Sequence, residues 1–503
     1  MTIVRTQLGA LRGSTGITVF RGIEYARANR FQAPEPAVRW LGERDARLPG
    51  PVAPQPSNRA ANKASAGGGA SADNRRQDEA CLNLTIATPA MPRPSGPDDT
   101  GFAARPVIVF LHGGSYETGA GGLDGYDPAS LAGNSDAVVV APNFRLGALG
   151  FLYAPGVCEG NLGLLDMIAA LRWVRENIAE FGGDPASVTL IGHEAGAHAI
   201  LCLLTMWESQ GLFHRAILQS CPAALPPQSR ATAAKSTARL MEAAGTDARG
   251  LAELSSAQIV SAQCKVTRGM QRFADLCFPF MPVLEDLSGG TTESAARFIG
   301  TAAKAAAGRG IPMIIGTTRE EMFSLLAADA VLLPPSPQAI ANRFTGLAGA
   351  ADAITLYRRR RAGGSDLELL GDLMTDHLFL FPSLALADAL TDAGGTAWVY
   401  QFDWAPRGSA LHACHGIELP GLFGNPTAWQ HSPMLADADA NELDGVSDAL
   451  RAAWSEFAHT NDPDAPGLPW PPYRRDTRMT MRFDRTLGPV GDLAGAGWRG
   501  GVS

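Results

Sequence analysis

The stretch "VTLIGHEAGAHA" (188–199) decides the fold. A short apolar run, Val188 to Ile191, reads as a buried strand, and Gly192 and Gly196 bracket a tight turn that leads into a helix. In the strand–turn–helix pattern G-x-S-x-G, the middle residue is displayed on a strained backbone above the edge of a sheet, where it serves as a nucleophile. Here the middle residue is Glu194.

Working outward from this turn, the chain alternates short runs rich in Val and Ile with segments of helical spacing. That alternation predicts an α/β fold with a mostly parallel central sheet flanked by helices. "VIVFLHGG" (107–114), "AVVVAPNF" (137–144), "PMIIGTT" (312–318) and "AWVYQFDW" (397–404) are further strand candidates. "LLDMIAALRWVRENIAEF" (164–181) carries apolar residues at helical spacing, and "GGDP" after it is a stop signal. Residues 53–78 hold almost no large apolar side chain and read as a mobile surface loop. The Ala- and Leu-rich stretch of about 323–395 reads as a helical insertion between strands, and one domain over 1–503 accommodates all of these pieces.

With 46% hydrophobic residues and 18% charged, the chain has ample material for a core. A net charge of -8 argues against nucleic acid as a partner, since binding phosphates takes clustered Lys and Arg. The one basic run, Arg358 to Arg361, reads as a solvated helix end. No stretch reaches 18 uninterrupted apolar residues, and the opening residues lack the layout of a signal peptide. The expectation is a cytoplasmic protein with no membrane partner. Seven cysteines without C-x-x-C pairs fit reduced thiols, although Cys264 and Cys277 could close a short loop. No metal site and no cofactor are expected.

Taken together, "FRGIEYA" (20–26), "CLNLTIATP" (81–89), "FLHGGSYETG" (110–119), "NFRLGALGFL" (143–152), the run 160–192, "CHGIELPGLFGN" (414–425) and "WSEFAHTNDPDAPGLPWPPY" (454–473) resemble the type-B carboxylesterase and cholinesterase family. The likeness implies the α/β-hydrolase fold with helical cap insertions. It also implies a site at the carboxyl edge of the sheet that acts on a small-molecule ester, lactone or carbonyl compound. By that resemblance His415 and Glu321 match the family's histidine and acid. The N–H groups of Gly114, Ser115 and Ala195 match its oxyanion hole, with Gly113, Tyr116 and His193 bordering the substrate pocket. The departures gather at this site: Glu194 stands where the family has serine, Ser115 where it has glycine, and Met322 follows the acid.

A carboxylate attacking an ester must later be expelled in preference to an alkoxide. Conjugate-acid pKa values of about 4.3 and about 15.7 put on the order of 15 kcal/mol behind collapse to substrate. A seryl-type acyl-enzyme is therefore not expected. Three roles stay open for Glu194. It could act as general base or acid beside His415, with the hole stabilising an alkoxide or enolate; as nucleophile at a saturated carbon; or as a plug that fills the hole of an inactive binding protein, as in the neuroligin relatives.

Overall fold

A computed structural model of the chain describes residues 2–14, 17–57, 71–72, 74–89, 104–288, 292–332, 335–348 and 353–493. Its framework is a ten-stranded sheet. In chain order the strands are β1 (Thr18–Glu24), β2 (Asn83–Thr88), β3 (Arg105–Leu111), β4 (Val138–Pro142), β5 (Gly183–His193), β6 (Arg215–Gln219), β7 (Met313–Thr318), β8 (Ala397–Phe402), β9 (Met479–Phe483) and β10 (Gly488–Gly491). Across the sheet they run β10-β9-β8-β7-β6-β5-β3-β4-β2-β1. From β9 to β4 every pairing is parallel, and antiparallel neighbours occur only toward the two edges.

The central strands are apolar because helices cover both faces, so no residue turns to water. Every residue of β4, "VVVAP", is buried, as is every residue of β7 and β8. Three of the strand expectations overran their strands at the carboxyl end. The run 107–114 leaves the sheet after Leu111, since Gly114, Ser115 and Tyr116 take φ of 111°, 57° and 60° and turn the chain away. The predicted helix is Leu162–Asn177, followed by a tighter turn over Ile178–Phe181 that Gly182 ends at φ 82°. One buried bidentate ion pair fastens this helix: Arg145 donates to Asp166 from Nε at 2.8 Å and from Nη2 at 2.7 Å.

Between β7 and β8 the chain forms helices at Phe323–Leu332, Pro337–Ala348, Ala353–Arg360, Asp366–Thr375 and Phe381–Asp392. The last two are continuous through one π turn, Asp376–Leu380. The joined stretch Asp366–Asp392 is long and apolar enough to cross a membrane, yet 67% of its apolar window is buried within the protein, as in a core helix. Met322, Leu326, Phe344, Leu370 and Phe379 share a cluster of their own beside the two main cores.

The basic run within this insertion is not a solvated helix end throughout. Arg360 reaches the buried Asp376 at 2.7 Å, and Arg361 pairs with Asp372 at 2.8 Å and Glu320 at 2.9 Å. The buried carboxylates Asp372, Asp376 and Glu320 draw these cations inward, a demand that the local run of arginines does not reveal. Most of the expected loop at 53–78, residues 58–70 and 73, lies outside the described residues. Its near end is anchored: Val52 and Ala53 are buried, and Gln55 donates from Nε2 to the carbonyls of Ala53 and Gly119, both at 3.0 Å. All seven cysteines, Cys264 and Cys277 included, are unpaired.

Candidate active site

The turn after β5 has the strain that its sequence spacing implies. Glu194 takes φ 50° and ψ -112°, and the helix Ala195–Thr205 begins at the next residue. The flanking glycines are a packing requirement. A Cβ on Gly196 would stand 2.0 Å from the carbonyl oxygen of Leu111, and one on Gly192 would stand 2.5 Å from the amide nitrogen of Ala197. Helix and strand therefore meet too closely for any side chain at either position. The Glu194 N–H donates to Gln219 O at 3.0 Å, which ties the turn to β6.

The loop after β3 faces this turn. Glu117 and Thr118 both donate their N–H to Gly114 O at 2.9 Å, closing a tight bend that directs the N–H groups of Gly114 and Ser115 the same way. Both donate to Oε2 of Glu194, each at 2.7 Å, and Ser115 Oγ reaches Oε1 at 3.3 Å. No cation pairs with Glu194 among the described residues; backbone dipoles hold its charge. Ala195 is buried, and among the described residues its N–H makes no hydrogen bond to this carboxylate.

Opposite stands a second carboxylate with different surroundings. Glu321 is fully buried; its Oε1 accepts from the Thr318 N–H at 2.7 Å and its Oε2 lies 2.6 Å from His415 Nδ1. Burial, the largest influence on His415, opposes its charge. The charge and hydrogen bond of Glu321, with smaller contributions from Glu194 and Glu418, together outweigh burial and raise the His415 pKa. An ion-pair network backs this side. Glu320, paired with Arg361, accepts from the Ala413 N–H at 3.1 Å, and the Glu320 N–H donates to Ala413 O at 3.0 Å. The turn bearing Glu321 and the loop bearing His415 are thereby clasped together. Phe379, in the π turn, lays its ring 5.8 Å from the ring of His415.

His193 lies behind Glu194, with its ring 4.6 Å from that of His415. Burial first and the charge of His415 second push its pKa well below the ordinary histidine range. Gly113 is buried beside it. Tyr116 is turned inward, its hydroxyl 2.7 Å from His198 Nδ1, while His198 Nε2 lies 2.9 Å from Leu225 O. The structure thus brings Glu194, Gly114, Ser115, His193, His415 and Glu321 together, and directs the Tyr116 hydroxyl elsewhere.

Sequence reasoning missed Glu418. It is buried, 3.4 Å from Gln219 Nε2, and its pKa is pushed up to about 7 by burial and then by Glu321. The signal was available: a lone acid three residues after His415, inside the apolar run of "CHGIELPGLF". Among the described residues, no group of three or more His, Cys, Asp or Glu side chains is arranged to hold a metal.

Comparison with known proteins agrees with this architecture. The model of the carboxylesterase family matches residues 1–492. A probable N-octanoylanthranilate hydrolase of Rhodococcus erythropolis is 36% identical over 493 residues, covering 96% of this chain and 98% of the relative. The para-nitrobenzyl esterase of Bacillus subtilis is 34% identical, over 96% of this chain and 95% of its own length. Among solved structures, a Geobacillus stearothermophilus carboxylesterase superposes over the full length of both chains with a TM-score of 0.82 at 30% identity. A thermophilic para-nitrobenzyl esterase gives 0.81 at 31% identity, over 99% of each chain.

Proposed function

The chain belongs to the carboxylesterase family, an α/β-hydrolase-fold family, and from that premise we propose that Glu194 stands in place of the nucleophilic serine and works as a general base. In this reading His415, charged and held by Glu321, is the matching general acid. The substrate is a small ester, lactone or carbonyl compound, and the chemistry is attack by activated water, or elimination, cyclisation or isomerisation, without an acyl-enzyme. The observation that carries the reading is the pairing at His415: a carboxylate at Nδ1 and a raised pKa suit a proton donor, which leaves Glu194 to accept.

In this reading the Glu194 carboxylate, bonded to the N–H groups of Gly114 and Ser115, takes the hole that a substrate oxygen would need. Releasing it breaks two charge-assisted hydrogen bonds of about 1.5–3 kcal/mol each, and a neutral carbonyl recovers only about 0.5–1.5 kcal/mol per bond. Ordinary esters therefore compete poorly for the hole, whereas an oxygen that gains negative charge competes well.

Assay of 4-nitrophenyl acetate beside an alkyl ester tests the reading. The native chain is expected to turn both over weakly, and Glu194→Ser to gain esterase activity. Conversion of an identified native substrate is expected to disappear in Glu194→Gln; undiminished conversion would overturn the base role. The doubly bonded carboxylate also favours a second reading, a permanently plugged binding protein, in which both variants leave ligand binding intact and no conversion exists to lose.

A further inference from the structure

Gly114 and Ser115 are joined by a planar trans peptide, whose C=O and N–H point in opposite directions. Whatever holds the Gly114 carbonyl therefore aims the Ser115 N–H at Glu194. Three donors hold it: the N–H groups of Glu117 and Thr118, each at 2.9 Å, and Thr118 Oγ1 at 3.3 Å. The side chain of Glu117 carries this bend outward to the helix Ser256–Met270. Its Oε1 accepts from Thr267 Oγ1 at 2.9 Å, and Gln263, four residues earlier on the same helix face, gives the carboxyl a second hydrogen bond. That helix is a firm post, since Ser255 and Gln258 cap it reciprocally and Ile259, Ala262, Gln263 and Val266 are buried. Gln263 Oε1 also accepts from the Ala148 N–H at 2.9 Å, while the Gly147 N–H donates to Tyr116 O at 2.6 Å. The loop, the helix Gly147–Phe151 and the post are thus tied in a ring. Burial lifts the pKa of Glu117 to about 7 despite its two hydrogen bonds, and no cation pairs with it among the described residues. A carboxyl so placed costs more than an apolar side chain would.

We infer that Glu117 is a positioning residue of the oxyanion hole: its carboxyl, docked on Thr267 and Gln263, fixes the bend that presents the Ser115 N–H to the reacting oxygen. The inference rests on the reading of the Gly114 and Ser115 N–H groups as that hole. Among the described residues no hydrogen bond joins the Glu117 side chain to Glu194, His415 or Glu321, so Glu117 acts through its own backbone. Its side chain is anchored to the helix, and its N–H anchors the Gly114 carbonyl. With the carboxyl cut from the helix, the bend keeps its internal hydrogen bonds and loses its outside reference. The Gly114–Ser115 peptide is then free to rock. Hole donors work by standing in place before charge develops, so a rocking donor stabilises the transition state less. An interaction made mainly in the transition state is lost from kcat rather than from KM.

NMR on the full chain labelled with 15N at serine tests this without a substrate. The Ser115 amide proton, bonded to a carboxylate, is expected downfield in the native chain. Glu117→Ala is expected to move it upfield and to speed its exchange with solvent about tenfold or more, because the bend opens more often. Glu117→Gln keeps an acceptor for Thr267 and is expected to stay near the native position. In the Glu194→Ser background, Glu117→Ala is expected to lower kcat on 4-nitrophenyl acetate about ten- to a hundredfold, less than deleting a hole donor outright, with KM within about twofold of its starting value. Glu117→Gln is expected to recover most of that loss. If Glu117→Ala does not fold, Thr267→Val cuts the same tie from the helix and is expected to act in the same direction. A Ser115 amide unmoved by Glu117→Ala, or a Glu117→Gln chain as impaired as Glu117→Ala, overturns the positioning role and leaves the reading of the hole standing. A Glu194→Ser chain with no esterase activity overturns the reading of the hole, and the amide resonance then decides alone whether Glu117 holds the bend.

Discussion

The two carboxylates of the site are held in opposite ways. Glu321 is enclosed, bonded to Thr318 and His415, and clasped from behind by Glu320, Arg361 and Asp372. Glu194 rests on two backbone N–H groups and a hydroxyl, with no cation paired to it among the described residues. The acid side is fixed by charges that have no better place to go. The elbow side is held by donors that a ligand oxygen can take over. The difference assigns permanence to one half of the site and exchange to the other.

The largest expected effect strikes the fixed half. In a Glu194→Ser background, Glu321→Gln should cut ester turnover about a thousand- to ten-thousand-fold, since the amide cannot hold His415 in its working tautomer and charge; steady-state kinetics on 4-nitrophenyl acetate measures it. A loss under tenfold would mean that Glu321 is not the fixed partner. Next, Arg361→Met leaves the nearly enclosed Asp372 without its ion-pair partner and Glu320 with Arg319 alone. A loss of about 3–5 kcal/mol in unfolding free energy is expected by chemical denaturation, because a buried charge without its partner is costly.

Titration should separate the halves by sign. On the elbow side, burial lowers His112 and His198 to about 4, so each is neutral when folded and charged when unfolded in mild acid. Their contribution, about 3 kcal/mol each, is complete above pH ~6.5 and lost as pH falls toward 4. The raised pKa of His415 works the other way: its contribution is present below pH ~6.5 and lost as pH rises through the folded value. Denaturation midpoints against pH, compared with those of His198→Asn and His415→Asn, resolve the two limbs. The smallest effect belongs to Ser115→Gly. Losing the 3.3 Å hydroxyl contact while relieving a φ of 57° should change stability by less than about 1 kcal/mol, because the N–H that holds Glu194 remains.

The elbow was legible in the sequence because its glycine spacing is a local pattern. A Cβ on Gly192 would meet the first turn of the following helix and one on Gly196 the carbonyl of Leu111 on the neighbouring strand, and the apolar runs of β3, β4, β7 and β8 announce strands buried on both faces. His415 and Glu321 came from motif resemblance, with no local pattern of their own. What stayed hidden is what distant segments impose. Arg361 is drawn inward by Glu320 and Asp372, which the chain brings together only through the insertion. The destination of the Glu194 carboxylate depends on a loop eighty residues earlier. The end of the first of these strands, β3, was misread where Gly114 is followed by two non-glycine residues of positive φ, Ser115 and Tyr116.

The π turn at Asp376–Leu380 gives the long helix of the insertion a counted register. An α-helix advances about 100° per residue, so deleting one residue from this turn would rotate Phe381–Asp392 by that amount against the body of the protein. Either the ring of Phe379 would leave His415, or the face that Leu384, Leu386 and Leu390 bury would turn away from the core. The extra residue lets one continuous helix answer two masters, the packing of the sheet at one end and the furnishing of the site at the other. Sequences aligned through this segment should therefore be compared by residue count as well as by identity, since a chain one residue shorter would present a different wall to its substrate.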